Sequence, residues 1–447
     1  MQEFIIRNAR LVNEGKRFRG HLHIRNELIH RIYSDDLPLE VMQLPFLDAG
    51  GRYLLPGVID EHVHFREPGL THKANLYTES LAAVAGGVTS FMDMPNTLPQ
   101  TVTLFLLEEK FAIASVRSLA NFSFYLGATN DNLDEIVKTD PRTTCGIKLF
   151  LGASTGNMLV DDTRTLAAIF EQAPTLVAVH AEHEPTIREN MARFRSRYGD
   201  RITMKMHAQI RSADACIRST SHALELAQRY GTRLHVLHLS TEAETKLFDP
   251  SPEVAGKKFT AEACVHHLWF TEEDVAEKGT LVKWNPAIKT PADREGLRQA
   301  LLENRLDVVA TDHAPHTREE KAKPYREAPS GGPMVQHSLP AMLELHRQGI
   351  IPLEEVVRKM CHAPADMFRI DRRGYLREGY YADLVLVDPD RPWTVGPGNI
   401  RYKCGWSPLE GTRFSHAVTH TWVNGNLVYE KGQVHDEHKG MRLVFNR

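Results

Sequence analysis

Residues 56–64 of the chain are PGVIDEHVH, an apolar segment that ends in two histidines with one residue between them. In a β-strand, successive side chains point to opposite faces, so His62 and His64 share one face. Two histidines on one face have the spacing of metal ligands. The segment therefore predicts a strand that carries a metal site at its carboxyl end.

Seven further apolar segments of strand length follow, and longer amphipathic stretches separate them. This alternation indicates repeated βα units around a parallel sheet. Eight such units predict an α/β protein with a (β/α)8 barrel, whose active site lies at the carboxyl ends of the strands. The eight candidate strands are residues 55–62, 88–94, 122–128, 147–151, 176–181, 234–239, 259–264 and 308–312.

Both ends of the chain lie outside this repeat. Short strand-like segments with Asn-Gly-type turns occur in residues 2–50 and again from about residue 379. We expect the two ends to form one small β-sandwich beside the barrel. The predicted division assigns residues 1–53 and 371–447 to the sandwich and residues 54–370 to the barrel. Residues 317–333, which are charged and contain proline and glycine, are expected to overhang the active-site mouth.

The composition is that of an ordinary globular enzyme. The 447 residues include 54 Lys and Arg against 57 Asp and Glu, with no long block of either sign. We therefore expect no nucleic-acid or membrane partner. The five cysteines are odd in number and form no C-x-x-C pair, which favours neither a disulfide framework nor a thiolate zinc site. A cytoplasmic protein is expected, because no signal peptide or membrane span is evident.

Lys148 lies in the fourth candidate strand, GIKLF, where alternation directs its side chain into the barrel. An unpaired ammonium inside a barrel is costly. A salt bridge to an interior acid is one interpretation. With metal-type histidines nearby, a carbamylated lysine is favoured, because the carbamate is an anion that can bridge two metal ions.

Other ligand types recur at the ends of later strands. His180 and His238 each end an apolar segment, although either one alone would be interpreted as a core histidine. Asp312 follows the apolar residues 308–310, and a carboxylate there needs a partner, for which a metal is the most economical choice. Four histidines, a carbamate and an aspartate suit a pair of zinc ions. Such a centre would ionise a bridging water near neutral pH and polarise a substrate carbonyl.

Four other histidines are not expected to be ligands. His183 and His235 have the opposite strand parity from His180 and His238. His21 and His23 repeat the spacing of the first pair, but they lie in the N-terminal segment without converging partners.

The segment PGVIDEHVHFREPG at residues 56–69, with AGGVT at 85–89 and MPNT at 94–97, resembles the signature of the class I dihydroorotases, a group of cyclic amidohydrolases. Matches to GIKLF, VHAE, HLST and TDHAPH extend the resemblance over essentially the whole chain. It implies reversible hydrolysis of dihydroorotate to N-carbamoyl-aspartate in pyrimidine biosynthesis, at two zinc ions per chain. It also implies the metal ligands His62, His64, Lys148, His180, His238 and Asp312.

Within this resemblance, carbamylated Lys148 bridges the two metal ions, and Asp312 combines metal ligation with proton transfer. Some class I members carry an aspartate in place of the lysine and hold one metal. The Gly-x-Lys-x-Phe pattern around Lys148 favours the two-metal form.

Substrate recognition has its own candidates. Arg66 has the parity of His64 and can meet the ring carboxylate of dihydroorotate with a two-pronged hydrogen bond. Asn96 and His316 would supply neutral donors beside it. The resemblance further implies that the ring amide is held by Asn285 and by the backbone around Ser330 and Gly331.

Each recognition residue also has a purely structural interpretation. Arg66 could form a salt bridge with Glu67 or Asp93 at the barrel rim, while Asn96 could be a turn residue and His316 a loop residue. Their occurrence together beside metal ligands makes the structural interpretation the weaker one.

Two kinds of alternative to this substrate or activity remain at this point. A hydantoinase, dihydropyrimidinase or allantoinase would share the metal ligands, but it would not need Arg66 and Asn96 arranged for a ring carboxylate. A catalytically silent structural relative would have no chemical reason to keep six inward metal-binding groups. The expected partner is the small-molecule substrate, and a homo-oligomer is left open.

Overall fold

The computed structural model describes residues 3–34, 36–152 and 158–447. The strands are β1 (Glu3–Asn13), β2 (Lys16–Arg25), β3 (Leu28–Tyr33), β4 (Phe46–Asp48), β5 (Tyr53–Pro56), β6 (Val58–Val63), β7 (Val88–Asp93), β8 (Asn121–Phe124), β9 (Leu126–Gly127), β10 (Ile147–Phe150), β11 (Val177–His180), β12 (Leu234–Val236), β13 (Phe259–Cys264), β14 (Val308–Ala310), β15 (Leu384–Asp388), β16 (Trp393–Thr394), β17 (Arg413–Phe414), β18 (Ala417–Val423), β19 (Asn426–Glu430) and β20 (Gln433–Val434).

The α-helices alternate with the central strands and also follow them. They are α1 (Leu39–Met42), α2 (Leu76–Ala85), α3 (Leu104–Arg117), α4 (Leu133–Val137), α5 (Thr163–Gln172), α6 (Glu184–Tyr198), α7 (His207–Ile210), α8 (Ala213–Tyr230), α9 (Glu242–Thr245), α10 (Val265–Trp269), α11 (Val275–Lys278), α12 (Pro291–Leu302), α13 (Arg318–Lys321), α14 (Ser338–Arg347), α15 (Leu353–Val357) and α16 (Ala363–Phe368).

The strands from β6 to β14 form a parallel barrel. β7 pairs with β6 and β8, and β9 begins a second run that continues in order through β14. β8 and β9 are two parts of one strand, separated only by Tyr125. The ring closes where Val63 bridges His313 in parallel, beside a hydrogen bond of 2.7 Å from the His64 amide to the His313 carbonyl. The predicted (β/α)8 barrel is therefore confirmed.

The local sequence explains the barrel elements. Every residue of β10 and β11 is buried, as expected for short β-branched and apolar strands covered by helices. Helix α8 begins after Ser212, whose side chain accepts the Ala215 amide, and it ends at Gly231, where φ is 74°. Such caps fix the helix lengths, so that each following strand returns to the barrel in register.

The two chain ends come together beside the barrel, as the sequence predicts, and the region predicted as a small β-sandwich contains one nine-stranded sheet from both ends. This nine-stranded sheet runs β20-β19-β18-β15-β5-β1-β2-β3, with β4 paired to β1. β5 lies at the junction, because it pairs with β1 from the N-terminal segment and with β15 from the C-terminal segment. Leu54, Leu384 and Trp422 belong to a buried apolar cluster of this sheet.

The structure divides the first candidate strand, residues 55–62, at Gly57. β5 ends at Pro56 in the terminal sheet, whereas β6 begins at Val58 in the barrel. The Gly57 amide donates to the Asp383 carbonyl at 2.8 Å. A Cβ atom at Gly57 would lie 2.0 Å from Thr89 Oγ1, so only glycine fits where the chain passes this close to β7.

Two later strands are shorter than predicted at their carboxyl ends. β12 ends at Val236 and β14 at Ala310, two residues before His238 and Asp312. Both latter residues have left-handed backbone conformations, with φ values of 40° and 45°. A strand cannot continue through this conformation, so the two side chains lie on the loops just past the strand ends.

Residues 317–333 lie at the same end of the barrel. They begin with the short helix α13, which Thr317 caps, and Gly332 forms a parallel bridge with His313. In the described part of the chain, no helix has the length and apolar character needed to cross a membrane.

Candidate metal centre and substrate pocket

The structure brings all six predicted ligand groups together in one cavity. They come from the carboxyl ends of β6, β10, β11, β12 and β14, and all six residues are buried. Asn285, Ser330 and Gly331 complete the polar lining of the cavity. The six ligand groups are His62, His64, Lys148, His180, His238 and Asp312.

His62, His64 and Asp312 form the first half of the centre. The Nε2 atoms of the two histidines lie 3.2 and 3.0 Å from Asp312 Oδ1. On the outer side, His62 Nδ1 donates to the Glu262 carboxylate at 3.0 Å, and His64 Nδ1 donates to Asn96 Oδ1 at 2.7 Å. Because Glu262 and Asn96 hold the outer nitrogens, both Nε2 atoms face Asp312, where they would be ligands of a bound cation.

His180 and His238 form the second half. His180 Nδ1 lies 2.9 Å from His238 Nε2, and His180 Nε2 lies 3.2 Å from Glu182 Oε2. Burial lowers the pKa of His238 well below its ordinary value, so the ring is neutral. Its backbone amide donates to Glu262 Oε1 at 2.9 Å, which holds the left-handed turn in place. Two neutral imidazoles facing each other can share a second cation.

Lys148 lies between these halves with its side chain buried. Its Nζ is 4.7 Å from the centre of the Phe150 ring. Burial lowers the pKa of Lys148 to about 7, so much of the population is a neutral amine near neutral pH. The salt bridge to an interior acid, which the sequence leaves open, is not formed with any residue in the ranges that the structure describes.

Arg66 is buried beside this centre, with 3% of its surface exposed. Its Nε donates to the Pro315 carbonyl at 3.1 Å. No carboxylate of the described residues lies within ion-pair distance of its guanidinium. The alternative of a rim salt bridge is wrong, because Glu67 pairs with Arg117 at 2.6 Å and Asp93 pairs with Lys110.

His316, Ser330 and Asn285 are joined by hydrogen bonds at the cavity mouth. Lys73 Nζ lies 3.1 Å from His316 Nδ1, and His316 Nε2 lies 3.0 Å from the Ser330 carbonyl oxygen. Ser330 Oγ donates to Asn285 Oδ1 at 3.0 Å. Arg66 Nη2 lies 3.1 Å from His316 Nε2, which places the predicted carboxylate contact next to this network.

The sequence model of the amidohydrolase family matches residues 53–428. The chain belongs to the amidohydrolase family. It is 36% identical to a dihydroorotase of Halobacterium salinarum over 374 residues, which cover 82% of this chain and 84% of that protein. An allantoinase of Streptomyces avermitilis is 32% identical over 406 residues, covering 89% of this chain and 88% of that protein. An L-hydantoinase (dihydropyrimidinase) structure from Arthrobacter aurescens has a TM-score of 0.92 at 28% identity, covering 99% of this chain and 100% of that chain.

The histidines set aside in the sequence lie outside the ligand cavity of this amidohydrolase. His183 immediately precedes α6, while His21 and His23 lie in β2 of the terminal sheet. His235 is inside the barrel, 3.2 Å from Glu61 Oε1. Although burial acts to lower it, contacts with Glu61 and Glu262 raise the pKa of His235 to about 9.

The sequence interpretation missed two carboxylates that orient the candidate ligands. Glu262 contacts His62 and the backbone of His238, while Glu182 lies between His180 and Arg211. Both carboxylates are fully buried. The sequence did contain a signal for both, because each acid lies in or just after an apolar strand. A carboxylate buried there needs a partner in the protein interior.

Proposed function

We propose that this amidohydrolase is a dihydroorotase, which interconverts (S)-dihydroorotate and N-carbamoyl-L-aspartate in pyrimidine biosynthesis. The observation that carries this choice is the buried Arg66 guanidinium, which has no acidic partner among the described residues and lies beside the candidate ligands. A guanidinium matches a carboxylate with two parallel hydrogen bonds. Dihydroorotate has such a ring carboxylate, whereas dihydrouracil, hydantoin and allantoin do not. The Halobacterium salinarum dihydroorotase supports the same choice.

The donor set fits two zinc ions bridged by carbamylated Lys148. Imidazole nitrogens and a carboxylate oxygen are typical ligands of this borderline-soft cation. His62, His64 and Asp312 would hold one ion, and His180 and His238 the other. When bound, the ions would act as Lewis acids toward the substrate carbonyl and would lower the pKa of a water molecule.

The residues of the chain supply binding, orientation and proton transfer. Arg66 pairs with the ring carboxylate, with Asn96 and His316 beside it. In ring opening, the Asp312 carboxylate accepts a proton from the attacking water and passes it to the departing ring nitrogen. In ring closure, the same proton moves in the opposite direction.

Binding of the ring amide is assigned to the cavity wall. Asn285 and the backbone at Ser330 and Gly331 line the cavity opposite the candidate ligands. Their contacts would fix which carbonyl of the ring faces the metal centre.

A hydantoinase, dihydropyrimidinase or allantoinase is the second candidate. The similarity to the Streptomyces avermitilis allantoinase and to the L-hydantoinase structure favours it. Such an enzyme would use the same metal ligands, but it would leave the buried Arg66 charge without a partner, which is costly. A silent structural relative would leave the convergence of six ligand groups without a purpose.

The proposal is tested by metal removal and reloading. We expect chelation to abolish both ring opening of dihydroorotate and closure of N-carbamoyl-aspartate, and added zinc to restore them. Metal analysis should give two zinc ions per chain, and the intact mass of the metallated protein should contain one carbamate. One zinc ion with unmodified Lys148 in an active enzyme would contradict the bridge. A fully metallated protein that does not turn over dihydroorotate would contradict the proposed function.

A further inference from the structure

Lys321 is a fully buried lysine that lies behind the substrate pocket. Its Nζ donates to three backbone carbonyls, those of Gly331 at 2.7 Å, Pro329 at 3.0 Å and Lys283 at 3.3 Å. Within the described ranges, no carboxylate lies within ion-pair distance of this ammonium. Three carbonyls therefore surround the Lys321 amine, and two of them belong to the segment that lines the pocket.

Lys283 makes a second set of bonds of the same kind. Its Nζ donates to the carbonyls of Tyr325 at 2.6 Å and Ala328 at 2.5 Å. No acid of the described chain pairs with it either. Together, Lys283 and Lys321 hold four carbonyls of residues 325–331.

The surroundings of Lys321 show that packing alone does not require a lysine. Its Nζ lies 5.9 Å from the centre of the Trp284 ring and 6.0 Å from that of Trp406, so two aromatic rings flank the amine. A methionine could fill this space without burying a charge. Burying an amine is costly unless its N–H groups find acceptors, so the lysine is explained by the carbonyls that it holds.

The held segment forms the cavity wall. Ser330 Oγ donates to Asn285 Oδ1, the Ser330 carbonyl oxygen lies 3.0 Å from His316 Nε2, and the Gly331 amide donates to the Lys283 carbonyl at 2.8 Å. Ser330 and Gly331 face the same cavity as the candidate metal ligands. A shift of this segment would therefore move the groups that meet the substrate ring.

We propose that Lys321 and Lys283 are positioning residues, which hold residues 325–331 as a fixed wall of the substrate pocket before substrate arrives. The identity of the substrate in this inference rests on the proposed function. The wall itself does not, because the lysine contacts join residues of this chain alone. This part of the overhanging segment is then preorganised rather than a lid that closes on the substrate.

Hydrogen exchange of the ligand-free wild-type protein gives the first test. We expect the Gly331 amide to exchange as slowly as the amides of the neighbouring barrel strands. Exchange as fast as that of exposed loops would overturn the proposal. This test needs no turnover, so it separates a failure of the wall from a failure of the proposed function.

Lys321→Met is the second test, with Lys359→Met as its matched control. Lys359 is equally buried and donates to the Leu306 carbonyl at 2.6 Å. Leu306 precedes β14, so this contact lies at the opposite end of that strand from Asp312. We expect Lys321→Met to keep its metal content, to raise the KM for dihydroorotate about tenfold or more, and to change kcat much less. Exchange should accelerate in residues 325–331 and not in the barrel strands.

Lys359→Met separates the loss of the pocket wall from the general effect of replacing a buried lysine. Lys359→Met should keep the wild-type KM and the slow exchange of Gly331, even if its melting temperature falls. Wild-type KM and exchange in Lys321→Met would overturn the proposal, and so would equal KM changes in both variants. If Lys321→Met does not fold, Lys283→Met serves instead, and it should accelerate exchange at residues 325–328. Unchanged exchange there would overturn the proposal.

Discussion

At the scale of single residues, the choice of substrate depends on Arg66. Its guanidinium is buried, bonds to the Pro315 carbonyl and lacks an acid among the described residues. A buried cation of this kind is stabilised when an anionic ligand arrives. In the proposed function, the ring carboxylate of dihydroorotate is that anionic ligand.

Replacing Arg66 by lysine should keep the metals and lose much of the activity. An ammonium carries the charge but cannot provide the paired donors of a guanidinium. We expect kcat/KM for dihydroorotate to fall by a factor that corresponds to about 2 kcal/mol or more of lost transition-state stabilisation. The control is Arg117→Lys, because Arg117 is a half-exposed arginine that pairs with Glu67. This variant should retain the wild-type kcat/KM. Unchanged kcat/KM in Arg66→Lys would remove Arg66 from substrate recognition.

Asp312 should give opposite pH profiles in the two directions of the reaction. Burial acts to raise the pKa of Asp312, but His62 and His64 hold it below its ordinary value, so the carboxylate is ionised near neutral pH. Ring opening needs this base, whereas closure needs a proton on it. Initial kcat at saturating substrate should therefore rise with pH for opening and fall with pH for closure.

Asp312→Asn separates this role from metal binding. We expect both directions to be severely impaired, and metal content must be measured beside the rate. Near wild-type turnover in fully metallated Asp312→Asn would show that another group moves the proton. The same monotonic pH dependence in both directions would lead to the same conclusion.

At the scale of elements, the ends of the barrel strands place the chemistry. Alternation along the strands predicted the inward direction of His62, His64 and Lys148. His238 and Asp312 lie past the ends of β12 and β14 in left-handed conformations, which cost about 1–3 kcal/mol each. Strand periodicity does not predict such conformations, because tertiary contacts such as that from Glu262 to the His238 amide stabilise them.

Strand β13 contributes Glu262, which orients groups from both halves of the centre. Glu262→Gln should weaken the acceptor for His62 Nδ1 and the support of the His238 backbone. We expect metal affinity to fall about 10- to 100-fold, with the fold retained. Metal titration of the stripped protein checks this, and wild-type affinity would show that Glu262 does not orient the ligands.

The break between β5 and β6 should make Gly57 intolerant of any side chain. Because an added Cβ would overlap the buried Thr89 side chain, Gly57→Ala should destabilise the protein by about 1–3 kcal/mol. Gly256→Ala is the matched control, since nothing lies within 4 Å of a Cβ there, and it should change stability by about 0.5 kcal/mol or less. Equal melting temperatures for the two variants would mean that the chain relaxes at Gly57 without cost.

At the scale of the whole molecule, the sequence was sufficient for the barrel, the joining of both ends in one sheet, and the six groups that line the cavity. Each of these follows from periodicity or from residue types at strand ends. The domain division at residues 53/54 and 370/371 stays a proposal. The missed features depend on distant contacts, such as the separation of β5 from β6 and the carbonyl bonds of Lys321, which no local pattern contains.

We propose that a metal centre and a carboxylate-binding arginine, Arg66, act on the same substrate. Dihydrouracil tests it most directly, because it has the ring of dihydroorotate without the carboxylate. We predict that the zinc-loaded wild-type protein has a kcat/KM for dihydroorotate about a hundredfold or more above that for dihydrouracil. The kcat/KM for dihydroorotate should also exceed that for hydantoin and that for allantoin. If kcat/KM for any of these three rings equalled or exceeded that for dihydroorotate, the proposed function would be contradicted.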